Sequence, residues 1–133
     1  MTLRILVADD DLDMVDVLSM ALESLGHTAV ATTNARSTLE QLAGGGFDGV
    51  LLDLSMPDMP SERLVAAILG LADRPPIVVF SARAEHESRV IAQRLGATIL
   101  TKPCELSDLL DAIESNFAVA TANAQARIGA GAR

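Results

Sequence analysis

Several classes of protein are excluded by what the sequence does not contain. There is one cysteine, Cys104, among 133 residues, and a lone thiol cannot close an intrachain disulfide. Basic residues are scarce: ten Lys plus Arg stand against eighteen Asp plus Glu, a formal net charge of −8. Neutralising a phosphate backbone needs clustered Lys and Arg, so direct nucleic-acid binding is not expected. No apolar stretch approaches the roughly eighteen residues of a membrane span, because Asp, Arg, Gly or Pro interrupts each one. The opening MTLRILVADD has neither the apolar run nor the cleavage site of a signal peptide. The expected compartment is the cytoplasm, with no membrane association.

What is present is a chain half hydrophobic, and its length predicts one compact domain. Short apolar runs recur with helical patterns between them, as strands buried on both faces of a parallel sheet do. The reading places strands at Leu3–Ala8, Thr28–Thr32, Val50–Leu52, Ile77–Phe80 and Thr98–Leu100. Helices are placed at Leu12–Leu25, Ala35–Ala43, Ser61–Leu71, Glu85–Leu95 and Glu105–Phe117. On the first helix Met14, Leu18, Ala21, Leu22 and Leu25 make one apolar stripe, with Leu12, Val15 and Met20 off it. On the last, Leu106, Leu109, Leu110, Ile113 and Phe117 make another. Asn34 and Ser61 are predicted helix N-caps, and Gly26 and Gly96 are predicted helix ends. Five β–α units predict an α/β fold: a doubly wound five-stranded parallel sheet of order 2-1-3-4-5 with helices on both faces. The domain spans 1–117, and 118–133 is an Ala/Gly-rich tail or linker stub without a core of its own.

In such a sheet, chemistry belongs at the carboxyl ends of the strands. The polar residues there are Asp9, Asp10 and Asp11 after the first strand, Asp53 after the third, Ser81 after the fourth and Lys102 after the fifth. Three or more acids in one crevice repel when ionised unless a cation relieves them. A hard divalent ion such as Mg²⁺ fits, since it takes one or two carboxylates and completes its shell with waters and phosphate oxygens. Lys102, the sole lysine, offers a compact point charge suited to one phosphoryl oxygen, and the Lys102–Pro103 bond could fix its direction if cis.

Asp11 also reads as a helix N-cap. The glycines at 44–46 follow a helix and precede a strand, the reverse of a phosphate cradle, and read as a loop. His27 and His86 are expected to be solvated, and Cys104 to be a small apolar filler.

These residues resemble the receiver domain of two-component response regulators, the chemotaxis-type, flavodoxin-like fold. The resemblance is carried by ILVADDD at 5–11, LLDLSMPDMP at 51–60, IVVFSA at 77–82 and GATILTKP at 96–103. It implies that Asp53 is the phosphoacceptor and that Asp9 and Asp10, with Asp53 and the backbone carbonyl of Ser55, hold Mg²⁺. It further implies that Ser81 and Lys102 each engage a phosphoryl oxygen. The implied partners are a sensor histidine kinase or histidine phosphotransfer protein, then an unidentified downstream protein or output domain, with a phosphorylation-dependent homodimer as one form of output. The implied activity is that of a phosphoacceptor signalling protein, catalysing its own phosphorylation and slow dephosphorylation. The family also docks its kinase on the first helix, where Leu12, Val15 and Met20 are either scattered surface apolars or part of that face.

The chain departs from the family pattern at several positions. Ile99 stands where the family usually has an aromatic switch residue. With no Tyr or Trp in the chain, switching must use aliphatic repacking or backbone movement. Ser61 stands where Gly is usual, and Cys104 where Phe is common. Ser55 and Arg83 occupy the positions bordering the hydrolytic water's path, so Arg83 is expected to alter the phosphoryl lifetime.

Three alternatives stay open. One is a non-phosphorylated pseudo-receiver serving as a protein-interaction module. A haloacid-dehalogenase-like phosphatase would want a second Asp where Ser55 stands, and a flavin carrier a Ser/Thr/Gly-rich loop where the three acids stand.

Overall fold

A computed structural model describes residues 2–81, 86–101 and 106–118. Strands β1 (Arg4–Ala8), β2 (Thr28–Thr32), β3 (Gly49–Leu52), β4 (Ile77–Ser81) and β5 (Thr98–Thr101) alternate with helices. The helices are α1 (Leu12–Ser24), α2 (Ala35–Gly44), α3 (Ser61–Leu69), α4 (His86–Leu95) and α5 (Leu106–Ile113). The sheet is parallel throughout, in the order β2-β1-β3-β4-β5. The expected topology is therefore the observed one, and the expected elements differ by at most two residues at their ends, except the last helix, whose α-helical part stops at Ile113 instead of Phe117.

Alternation along the strands divides the core into two layers, because successive side chains point to opposite faces. Leu6, Ala8, Val50, Leu52, Ile77 and Val79 pack with Leu42 of α2, Leu64, Val65 and Ile68 of α3, and Ile91 of α4. Ile5, Val7, Leu51, Val78 and Phe80 pack on the other side with Val15, Leu18 and Leu22 of α1 and Leu109 and Ile113 of α5. The central strands β1, β3 and β4 are buried on both faces, as their unbroken apolar runs require. Each fully buried Val, Leu or Ile contributes roughly 1.5–3 kcal/mol.

The inward stripe of α1 differs from expectation. Val15, Leu18 and Leu22 are buried, Met14 is half-buried, and Leu25 is 56% exposed. Apolar residues occupy so much of this helix's circumference that a stripe rotated by one residue fits the pattern equally well. The facing strands select the one that includes Val15. Of Leu12, Val15 and Met20, expected on the outer surface, Val15 is therefore buried instead, while Leu12 and Met20 are exposed together with Val17. On α5, Leu109 and Ile113 are buried and Leu106 is 41% exposed.

Of the four residues expected at helix ends, Asn34, Ser61, Gly26 and Gly96, three hold and one does not. Asn34 accepts from the Ser37 N–H at 2.7 Å and starts α2, while Gly26 (φ 89°) and Gly96 (φ 65°) take the left-handed conformation that ends α1 and α4. At α3 the N-cap position is Pro60, which makes no side-chain cap, and Ser61 is already inside the helix with its hydroxyl turned elsewhere. Gly44 closes α2, and Gly45 and Gly46, both at positive φ, lead toward β3. Gly45 and Gly46 thus form the expected loop, while Gly44 belongs to the helix end. His27 is not merely solvated: it is half-buried, and its Nδ1 accepts the Leu3 N–H at 3.0 Å. An accepting Nδ1 puts the ring proton on Nε2.

After α5 the helix widens into a π turn, Glu114–Ala118, which brings Phe117 fully inside. The ring lies over Gly49 so closely that a Cβ there would overlap it. The tail expected over 118–133 lies outside the described residues except for the backbone of Ala118, as does the side chain of His86.

Candidate functional site

The sheet register builds the site. Ala8 of β1 and Leu52 of β3 are paired, and the chain continues one residue past each strand into Asp9 and Asp53. Their backbones are held there by extensions of the ladder. The Asp53 N–H donates to the Ala8 carbonyl at 2.9 Å, and the Asp9 N–H donates to the Thr32 carbonyl at 3.1 Å. Both side chains are buried, at 2% and 3% exposure, whereas the neighbouring Asp10 is exposed.

Carboxylate oxygens of Asp9, Asp10 and Asp53 all lie within 4.8 Å of one another. Two like charges at about 4 Å repel by about 4 kcal/mol at an effective dielectric of about 20. Such crowding stands against folding unless a cation or hydrogen bonds offset it. Some of the offset is local: the Asp11 N–H donates to Asp9 Oδ1 at 3.0 Å, and the Ser55 N–H donates to Asp53 Oδ1 at 3.0 Å. An all-oxygen donor set with one exposed member suits a hard, hydrated divalent ion such as Mg²⁺.

Asp11 points away from this cluster. Its carboxylate caps α1, accepting from the N–H groups of Asp13 and Met14 at 3.0 and 3.3 Å, the structural role expected for it. Ser81 ends β4, pairs with Thr101 and is 1% exposed. Because β4 adjoins β3 and β5 adjoins β4, the carboxyl ends of β1, β3, β4 and β5 open on one side. Ser55 follows in the loop after Asp53 and is exposed. Lys102, Pro103, Cys104 and Arg83, to which the sequence assigned roles, lie outside the described residues. Ile99 is half-buried and packs against the α2–α3–α4 layer of the core, so an aliphatic side chain fills the position noted as unusual.

Two residues near the site have roles that the sequence did not reveal. The Asp58 carboxylate reaches the first turn of α2, accepting from the N–H groups of Ala35 at 2.8 Å and Arg36 at 3.0 Å. Those bonds, the one from Ala35 foremost, hold its carboxyl below the usual 3.8. The Ser61 hydroxyl donates to the Leu54 carbonyl at 2.6 Å. Asp58 lies 23 residues from Ala35, and no local pattern announces a contact of that span. Ser61 was visible only as a helix cap.

The profile of the response regulator receiver domain matches residues 5–114. The chain belongs to this family. Curated receiver-containing relatives include the transcriptional regulatory protein QseB of Escherichia coli O157:H7, 31% identical over 114 residues that cover 85% of this chain and 52% of that protein. The chain thus spans about half the length of such relatives. A CheY-like receiver domain protein from Methanospirillum hungatei JF-1 superposes with a TM-score of 0.76 at 27% identity, covering 86% of this chain and 93% of that one. The response regulator TrrA of Thermotoga maritima, solved in complex with Mg²⁺ and BeF, superposes with a TM-score of 0.73 at 22% identity, covering 84% and 96%. As a receiver domain, the chain presents its acidic cluster at the carboxyl ends of β1 and β3, where an open α/β sheet places its ligand site.

Proposed function

We propose that this receiver domain accepts a phosphoryl group on Asp53 from a sensor histidine kinase or histidine phosphotransfer protein, in a Mg²⁺-dependent reaction, and thereby switches its protein contacts. The observation that carries this reading is the meeting of Asp9, Asp10 and Asp53 within 4.8 Å. Asp9, Asp10, Asp53 and the Ser55 backbone carbonyl would hold Mg²⁺, which when bound supplies neutralisation of the phosphoryl oxygens and of the crowded carboxylates.

The chain's own work is positioning. Asp53, held by the Ser55 N–H through Oδ1, attacks phosphorus in line. A P–O bond to Asp53 forms as the P–N bond to the kinase histidine breaks, and the departing imidazole keeps the electron pair and takes up a proton. The burial of Asp9, Asp53 and Ser81 limits competing water, so positioning and electrostatics carry the transfer. The resemblance assigns Ser81 and Lys102 to two of the transferred oxygens. Water later hydrolyses the acyl phosphate, at a rate to which Arg83 contributes.

The partner-facing reading follows the same lines. The exposed Leu12, Val17 and Met20 of α1 would meet the phosphodonor protein. The segment 118–133 would serve as a tail or as a linker to an output domain, and the kinase chemistry would place the chain in the cytoplasm. None of the helices among the described residues is long and apolar enough to cross a membrane.

Incubation with acetyl phosphate, with and without Mg²⁺, followed by intact mass, tests the reading. One added phosphoryl group that requires both Mg²⁺ and Asp53, and is missing in Asp53→Asn, is expected. No adduct under any condition would replace the acceptor with a non-phosphorylated interaction module.

A further inference from the structure

The Leu54–Ser55 peptide group is held from both sides. Its carbonyl accepts the Ser61 hydroxyl at 2.6 Å, and its N–H donates to Asp53 Oδ1 at 3.0 Å. Carbonyl and N–H belong to one planar, nearly rigid unit, so a rotation of either end rotates the other. Leu54 is 3% exposed, and among the described residues no backbone N–H donates to its carbonyl. The Ser61 hydroxyl therefore supplies what water does not easily reach. Ser61 itself is the first residue of α3, with Pro60 at the cap position. Its hydroxyl is free to reach back seven residues rather than capping its own helix.

We propose that Ser61 is a positioning residue for Asp53, acting through the Leu54–Ser55 peptide as a hydrogen-bond relay. The chain runs from the Ser61 O–H to the Leu54 carbonyl, and from the Ser55 N–H to Asp53 Oδ1. Hydrogen bonds in series polarise one another, so the Ser61 bond strengthens the one to Asp53 as well as aiming it. With Oδ1 fixed in this way, the rotation of the Asp53 carboxylate is set before a phosphodonor arrives, and pre-set orientation is what an in-line attack needs. Glycine, the residue common at this position in the family the chain resembles, has no hydroxyl and cannot make the relay. The anchoring of the same loop by Asp58 on α2 limits the loop's freedom from its other side.

This inference rests on Asp53 being the acceptor, and the test separates the two. The full 133-residue chain is compared with Ser61→Ala, Ser61→Gly and Ser61→Thr by the amide proton shift of Ser55 and by the rate of phosphorylation from acetyl phosphate at saturating Mg²⁺. Ala and Gly are expected to move the Ser55 amide proton upfield and to slow phosphorylation about five-fold, the worth of roughly one hydrogen bond. Thr, which keeps the hydroxyl, restores both. A loss of stability alone would leave the Ser55 shift and the rate per folded molecule unchanged. A Ser55 shift or a rate unmoved in both Ala and Gly variants overturns the relay. A wild-type chain that takes no phosphoryl group sinks the acceptor reading instead, and the Ser55 shift then decides the relay by itself.

Discussion

The two ends of the sheet use the same residue types to opposite effect. At the amino ends of the strands, Asp48 accepts the Arg4 N–H at 2.8 Å. The Arg4 guanidinium lies 4.2 Å from the Phe47 ring centroid and donates to the Gly45 carbonyl at 3.2 Å. An acid and a base there join the α2–β3 turn to β1. At the carboxyl ends, three acids crowd together within 4.8 Å, two of them buried. The first arrangement closes the fold. The second holds like-charge repulsion that a divalent cation can relieve, so one end is built for stability and the other for a ligand.

The largest expected effect separates the ends through Mg²⁺. Binding to the folded chain alone, at a free concentration about 100 times its dissociation constant, raises stability by about 2.7 kcal/mol. Thermal melts with and without Mg²⁺ should show this gain in wild type. Asp10→Asn should melt higher than wild type in chelator, because one repelling charge is gone, and should lose most of the Mg²⁺ response.

Gly49→Ala attacks the opposite end. The new Cβ would overlap the buried Phe117 ring, and overpacking of this kind costs roughly 1–3 kcal/mol. Denaturant unfolding should show a loss of about 2 kcal/mol. The Mg²⁺-induced rise in melting temperature should survive.

A smaller effect is expected at Asn34. Replacing this cap of α2 by Ala removes the bond to the Ser37 N–H and should lower stability by about 1 kcal/mol, again with Mg²⁺ binding intact.

The mildest test is the pH dependence at Asp58. Its carboxyl sits below 3.8 in the fold, so its stabilisation is fully present above that value and is lost as pH falls through the lower folded value. The stability gap between wild type and Asp58→Asn should therefore be constant above about pH 5 and close at more acidic pH. A gap that widens on acidification would contradict the hold of the Ala35 and Arg36 N–H groups on Asp58.

Much of this architecture was legible in the sequence because its signals are local. Strand runs ending in Asp9, Asp53 and Ser81 place those residues by strand ends alone, and the β–α alternation determines how the strands can be wound. What was missed depends on partners distant in sequence. Val15 joined the core because the sheet chose between two overlapping stripes on α1. His27 found the Leu3 N–H across 24 residues, and Asp58 found α2 across 23. Ser61 has the short-range pattern of a cap, although Pro60 holds that position. Its hydroxyl instead satisfies a carbonyl in the loop before it. The widening of α5 into a π turn has no signature in the apolar spacing, since Phe117 continues the stripe in either geometry.

The central claim is that the acidic end of the sheet directs a phosphoryl group to one carboxylate among three. Borohydride reduces an acyl phosphate to an alcohol and leaves a free carboxylate untouched, so reduction after treatment with acetyl phosphate and Mg²⁺ marks the acceptor for peptide mass analysis. Homoserine at position 53 alone, and only when Mg²⁺ was present, is the predicted result. A reduced residue at position 9 or 10, or none at all, would contradict the account.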